Sequence, residues 1–159
     1  MITIGIDPGL SGSVAVLGEE GIIKIYDTPV AEIKSGKKTK RAYVESEMAR
    51  ILSNYNIDGA HAAIEGQHAF PGQGVSSMYK LGLGYGLWVG ILAALKIPYT
   101  VISSTKWKKG MGLTGKEKAA SCLRAQQLYP DAELFTERGR ALDGRADALL
   151  IATYLKEIR

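Results

Sequence analysis

Four acids stand where chemistry could use them. Asp7 ends the apolar run "ITIGID" and Glu65 ends "AHAAIE"; Asp143 and Asp147 lie four positions apart in "DGRADALL". In a helix, residues i and i+4 share a face. Carboxylates gathered in one place repel, and their pKa values rise unless a positive charge neutralises them. A divalent cation does this, and hard oxygen ligands with no thiolate set favour Mg²⁺, or Mn²⁺ in its place, over Zn²⁺. Two such ions about 4 Å apart perform in-line phosphodiester hydrolysis: one prepares the water, the other stabilises the leaving oxygen. Each acid also has a structural reading. Asp7 could cap a turn, Asp143 could cap a helix, and all four could sit in salt bridges. Asp147 fits these readings least, because it interrupts an otherwise apolar helix face of Ala146, Ala148, Leu149 and Leu150 and needs a partner there.

The elements that must position these acids follow from periodicity. Ile2, Ile4 and Ile6 alternate with Thr3, Gly5 and Asp7, which puts Asp7 on the strand face opposite the isoleucines. Pro8, Gly9 and Gly12 mark a tight turn before the second strand, Ser13–Leu17. A third strand covers 21–26 and a helix covers 43–54. A short strand ends at Glu65, and a long helix runs from Val75 to Leu95. A buried strand covers 97–103, and the last two helices span 116–128 and 144–158. Polar stretches at 31–41 and 104–115 read as loops, the first of them mobile. The order βββ-α-β-α-β-α-α implies an α/β fold: a mixed five-stranded sheet with helices on both faces. No linker or internal repeat divides it, so residues 1–159 are read as a single domain.

Composition narrows the class. Of 159 residues, 46% are hydrophobic and 23% charged, as in ordinary globular proteins. Cys122 is the only cysteine, which excludes an intramolecular disulfide and suits a buried, inert thiol. No basic segment precedes the first strand, so no signal peptide is expected. The longest apolar run, Leu81 to Leu95, has 15 residues, short of the roughly 20 that a membrane span requires. A cytoplasmic location is the expectation.

The net charge is +4, and its placement is more telling. Lys34, Lys37, Lys38, Lys40 and Arg41 form one cluster; Lys106, Lys108, Lys109, Lys116 and Lys118 form another. Together they hold ten of the 20 basic residues. Clustered loop cations suit a phosphate backbone, or else are two solvated loops. Gly82, Gly86 and Gly90 line one face of the long helix, which suggests close approach of a partner helix, of DNA phosphates or of the protein's own sheet. Trp88 and Trp107 read as core and loop anchors.

The ordered set "IGIDPGLSGSVAV", "AAIEGQHAF", "YGLWVGIL", "VISSTKWKKGMGL" with "GKEKAA", and "DGRADALLIATY" resembles RuvC-type Holliday junction resolvases. It is most similar to the group that includes the chloroplast junction resolvase. The resemblance covers residues 2–156. It implies an RNase H-like fold, a homodimer, and Mg²⁺-dependent paired symmetric nicking of four-way DNA junctions. It carries the four metal-binding acidic positions onto Asp7, Glu65, Asp143 and Asp147. Bacterial RuvC spaces its last two ligands three apart; here the spacing is four, as in the chloroplast-like group. The phosphate-contacting lysines of the family fall near Lys106 and one of Lys116 and Lys118. Its junction-centre aromatic falls on Phe70, with His68 second, unless Phe70 is tucked under Pro71.

Three other functions share parts of this pattern. Sugar kinases and Hsp70-type ATPases open on a similar hairpin but need two such domains around a nucleotide, so no nucleotide cofactor is expected here. A related nuclease would cut RNA·DNA hybrids or flapped DNA. A non-catalytic junction binder would not need all four acids.

Overall fold

The computed structural model describes residues 1–117 and 119–159; at Ser35 it describes the backbone alone. Twelve elements follow along the described chain. They are β1 (Ile2–Asp7), β2 (Ser13–Leu17), β3 (Ile22–Asp27), β4 (Val30–Ser35), β5 (Lys38–Tyr43), α1 (Glu45–Ser53), β6 (Ala60–Glu65), α2 (Val75–Ala94), β7 (Tyr99–Ile102), α3 (Ser104–Gly110), α4 (Ala119–Leu128) and α5 (Asp143–Ile158). Five strands form one sheet in the order β3-β2-β1-β6-β7. β1–β2 and β2–β3 pair antiparallel, while β1–β6 and β6–β7 pair parallel. This is the mixed five-stranded α/β sheet that the element order implied.

Strand parity divides the core in two. Ile4, Ile6, Val14, Val16, Ala62 and Ile64 pack with Met48 and Leu52 of α1 and Trp88 and Leu92 of α2. Ala15, Leu17 and Ala63 point the other way, toward Trp107 of α3, Cys122 of α4 and the apolar face of α5. Helices therefore cover both faces. The alternation also fixes where the acids go. Asp7 shares a side with Gly5, and Glu65 shares a side with Ala63, so both belong to the α5 face. At Gly5, α5 lies against the strand: a side chain would run into the Ala148 carbonyl and the Ala152 backbone.

Four local expectations are corrected. Residues 31–41 are not a mobile loop but most of a two-stranded hairpin, with Val30 pairing Tyr43 and Lys34 pairing Thr39. Gly36 turns it at a φ of 61°, a conformation glycine adopts without steric cost. Residues 104–110 are not loop either. They form α3, whose Ser103 side chain accepts a hydrogen bond from the Lys106 N–H at 3.3 Å, the pattern of a helix N-cap. The strand near 97–103 is shorter than expected and is the sheet's edge. Tyr99, Thr100 and Val101 are exposed and only Ile102 is buried. The helix expected from Lys116 begins at Ala119 among the described residues.

The glycines of α2 also behave differently from one of the expectations. A side chain at Gly82, Gly86 or Gly90 would meet nothing within 4 Å, so their face does not pack on the protein's own sheet. Gly84, on another face, is the tight one, set against Pro8 and the Tyr43 ring.

Candidate functional site

β1 and β6 run side by side in parallel, in register through Ile6 and Ile64. Their next residues, Asp7 and Glu65, therefore end adjacent strands together. α5 brings the other two acids. Asp143 opens it, where a negative charge suits the helix dipole; Asp147 follows one turn later. The intervening residues anchor the helix. Gly144 lies on the Ser11–Gly12 backbone so closely that a side chain would collide with the Ser11 carbonyl. Arg145 turns the other way and grips the carboxylate of Asp27, at the end of β3, with two bonds of 2.7 and 2.8 Å. "DGRAD" thus alternates two acids with two packing contacts.

Asp7, Asp143 and Asp147 line one open cleft of about 320 Å³ with Gly9, Ser11, Gly12, Gly144, Lys108 and Ser121. Burial, then the charges of Asp147 and Glu65, push the Asp7 carboxyl up to about 7. Burial pushes Asp147 up to about 6, against the pull of the Ser121 hydroxyl and Lys108. One oxygen of Asp147, Oδ1, is buried with no hydrogen-bond partner. Such an orphan acceptor is costly in a folded protein.

Glu65 and Asp143 also meet donors from the protein, as Asp147 meets the Ser121 hydroxyl and Asp7 the Gly9 backbone. The indole Nε1–H of Trp107 donates to Glu65 Oε2 at 2.6 Å. The buried Cys122 thiol donates to Asp143 Oδ1 at 3.6 Å, a weak contact, and burial with the Asp143 charge pushes the thiol up to about 11. As they stand, no three His, Cys, Asp or Glu side chains among the described residues are grouped closely enough to cage a cation. The chemistry of the donor set nevertheless fits a hard divalent ion: four carboxylates, one unpartnered buried oxygen, and pKa values raised by burial and by neighbouring carboxylates at Asp7 and Asp147.

The basic residues divide sharply. Lys108 is half-buried at the cleft, its ammonium 5.3 Å from the centre of the Trp107 ring. Its neighbours Lys106 and Lys109 are exposed on α3, and Lys116 is exposed in the following loop. Lys118 lies outside the described residues. On the hairpin, Lys37 sits in the turn, and Lys38 and Lys40 share one face of β5. Arg41 faces the other way and donates to the Leu10 carbonyl at 2.6 Å and to Ser11 Oγ at 3.1 Å. It ties the hairpin to the turn beside the acids. His68 and Phe70 both lie exposed in the loop after Glu65; Phe70 is 64% exposed, so it is not tucked under Pro71.

Three participants escaped the sequence reading. Ser121 and Ser11 line the cleft, and serine at these positions carries no pattern that marks it. Trp107 was taken for an anchor, and it is fully buried, but its bond to Glu65 spans 42 positions and has no local signal.

The chain is 34% identical over 149 residues to the chloroplastic Holliday junction resolvase MOC1 of Chlamydomonas reinhardtii. That match takes in 82% of this chain and 17% of the algal protein, so the chain spans under a fifth of its relative's length. No family model matches. Among solved structures, Thermus thermophilus RuvC superposes with a TM-score of 0.61 at 14% identity, covering 99% of this chain and 96% of that one. T. thermophilus RuvC in complex with a Holliday junction substrate gives 0.61 at 15% identity, with the same coverage. The fold is thus that of RuvC, and the resemblance to RuvC-type resolvases stands on sequence and on structure.

Proposed function

We propose that this chain, with the fold of RuvC and a sequence like that of a Holliday junction resolvase, is a metal-dependent endonuclease that resolves four-way DNA junctions. The observation that carries this reading is the cleft lined by Asp7, Asp143 and Asp147, together with the Asp147 oxygen that is buried without a hydrogen-bond partner. Asp7, Glu65, Asp143 and Asp147 are the candidate ligands. Bound Mg²⁺, or Mn²⁺ in its place, two ions per site, supplies an activated water and neutralises charge on the departing oxygen. Water adds at phosphorus and the 3′ oxygen leaves, giving 5′-phosphate and 3′-hydroxyl ends.

The chain's own groups set the conditions for that step. Asp7 and Asp147 must be deprotonated to bind a cation, and their raised pKa values put that change near neutrality. Lys108 offers the cleft a fixed positive charge. The small residues Gly9, Ser11 and Gly12 leave room at its rim for a phosphate. Lys37, Lys38 and Lys40 on the hairpin, with Lys106, Lys109, Lys116 and Lys118, would hold the junction arms, and Arg41 fixes the hairpin relative to the cleft. Phe70 and His68, exposed in the loop after Glu65, would meet an unstacked base at the junction centre. A homodimer would cut one strand with each copy. The unfilled glycine face of α2, with Tyr79 70% exposed on the same helix, suits a second copy. Among the described residues no helix is long and apolar enough to cross a membrane; the reading places the protein in the cytoplasm.

The test is cleavage of a labelled four-way junction beside matched duplex and RNA·DNA hybrid, with Mg²⁺ and with EDTA. Paired symmetric nicks in the junction alone, only with metal and sealed by ligase, are expected. Cleavage of the hybrid with the junction ignored would reassign the substrate. Tight junction binding with no cleavage in any metal would leave a binding protein.

A further inference from the structure

The Trp107–Glu65 bond is a short contact, 2.6 Å, between a proposed ligand and a fully buried side chain of another element. An indole N–H is a neutral donor that neither titrates nor accepts. It can orient a carboxylate without cancelling its charge, whereas a lysine or arginine there would compete with a cation. The bond occupies Oε2 of Glu65, and among the described residues Oε1 has no donor of its own. Trp107 is completely buried, seated by α3 in the same core cluster as the apolar face of α5, so the donor has little freedom to move. The face of the same ring lies beside the Lys108 ammonium, at a distance that favours cation–π attraction. One side chain thus bears on both Glu65, a proposed ligand at the end of β6, and Lys108, the base that lines the cleft.

We propose that Trp107 is a positioning residue: its indole N–H holds one oxygen of Glu65 and presents the other to a divalent cation. The metal affinity of the centre then depends on a side chain that touches neither metal nor DNA. This rests on the reading of Glu65 as a ligand, and the experiment separates the two. Hydrogen-bond partners of metal ligands typically account for about 10- to 100-fold in metal affinity or activity.

Trp107→Phe removes the N–H but keeps a ring beneath Lys108. We expect the Mg²⁺ concentration for half-maximal junction cleavage to rise about tenfold, with the rate at saturating Mg²⁺ nearly unchanged. A purely structural tryptophan would instead lower the melting temperature and leave the Mg²⁺ requirement where it was, which overturns the proposal. A second readout needs neither activity nor a variant. The chain has two tryptophans, and the Trp88 Nε1 is buried without a partner. Their indole ¹H–¹⁵N resonances should be well separated, with that of Trp107 downfield. Mg²⁺ titration of the wild-type protein should move the Trp107 resonance and not that of Trp88. Glu65→Gln should shift the Trp107 resonance without metal and abolish its response to Mg²⁺. A Trp107 resonance indifferent to Mg²⁺, while Glu65→Gln still abolishes cleavage, would overturn the positioning role and spare the ligand reading. Unchanged cleavage and Mg²⁺ requirement in Glu65→Gln would overturn both.

Discussion

At the ends of β1 and β6 the charged groups are half-buried and crowded; on the β4–β5 hairpin they stand in water. In the cleft, Asp7 and Asp147 are pushed well above the ordinary carboxylate range, and each neighbour adds to the repulsion or answers it. On the hairpin, Lys37, Lys38 and Lys40 are exposed, and Arg41 is the basic side chain there that bonds back to the protein body. Crowded buried charge is unfavourable on its own and points to a missing counter-charge of high density. Dispersed exposed charge costs little and suits a long polyanion that can be held in many registers. On the proposed function, the same molecule separates chemistry from grip. Substitutions in the cleft should change rate and metal response steeply, and substitutions on the hairpin should change affinity gradually.

The largest effect should come from Asp7→Asn. The side chain keeps its shape and loses the charge that a cation requires. Junction cleavage should fall about a thousandfold or more, the scale seen when a single key electrostatic group is removed from a catalytic centre. Junction binding measured in Ca²⁺ or EDTA should be unchanged or tighter, because one negative charge near the DNA is gone. Loss of binding with the fold intact by circular dichroism would place Asp7 in structure rather than chemistry.

A smaller effect separates buried charge from exposed charge by pH. The folded carboxyl of Asp7 takes up its proton near 7, against 3.8 ordinarily. Between those values the folded state holds more protons than the unfolded one, so this group's contribution to stability is present at low pH and is lost as pH rises through about 7. Asp147 adds the same sign, its contribution lost as pH rises from the ordinary carboxylate range through about 6. Asp27 has the opposite sign. Its hydrogen bonds to Arg145 depress its pKa, and that stability disappears only as pH falls below the ordinary carboxylate range. The metal-free protein should therefore melt lower at pH 8 than at pH 5.5, by at least about 3 °C. Mg²⁺ should restore the difference at pH 8, and Asp7→Asn should flatten the slope. A wild-type melting temperature that climbs over this range as steeply as that of Asp7→Asn would refute the buried-charge account.

These two regions were also unequally legible in the sequence. The acids could be read because they break patterns: Asp7 ends a strict strand alternation, Glu65 closes the short apolar run "AHAAI", and Asp147 interrupts an apolar helix face. Parity alone then assigns Asp7 and Glu65 to the α5 side of the sheet. The hairpin could not be read, because both its faces meet water over most of its length and "VAEIKSGKKTKRAY" shows no alternation to betray strands. Its order comes from cross-strand pairing, the Gly36 turn, and tertiary anchors such as Arg41 on Leu10 and the Tyr43 hydroxyl on the Lys80 carbonyl. α3 is seven residues long, too short for periodicity to speak, and Ser103 was its one local sign. The bond from Trp107 to Glu65 was invisible for a different reason. It joins two elements far apart in the chain, and only the sheet order brings them together.

The smallest effect should come from the hairpin. If Lys38 and Lys40 each neutralise a phosphate, Lys38→Ala with Lys40→Ala should weaken binding of junction and duplex alike. The slope of log affinity against log salt should fall by about 2 in the double variant, close to one per contact. The single variants should each take about half of that. Cleavage at saturating enzyme should be preserved, since neither lysine lies in the cleft. A cleavage defect at saturation with an unchanged salt slope would mean that the hairpin acts on the acids, through the Arg41 contacts with Leu10 and Ser11, rather than on DNA. The separation of grip from chemistry would then fail at the one place where the two regions touch.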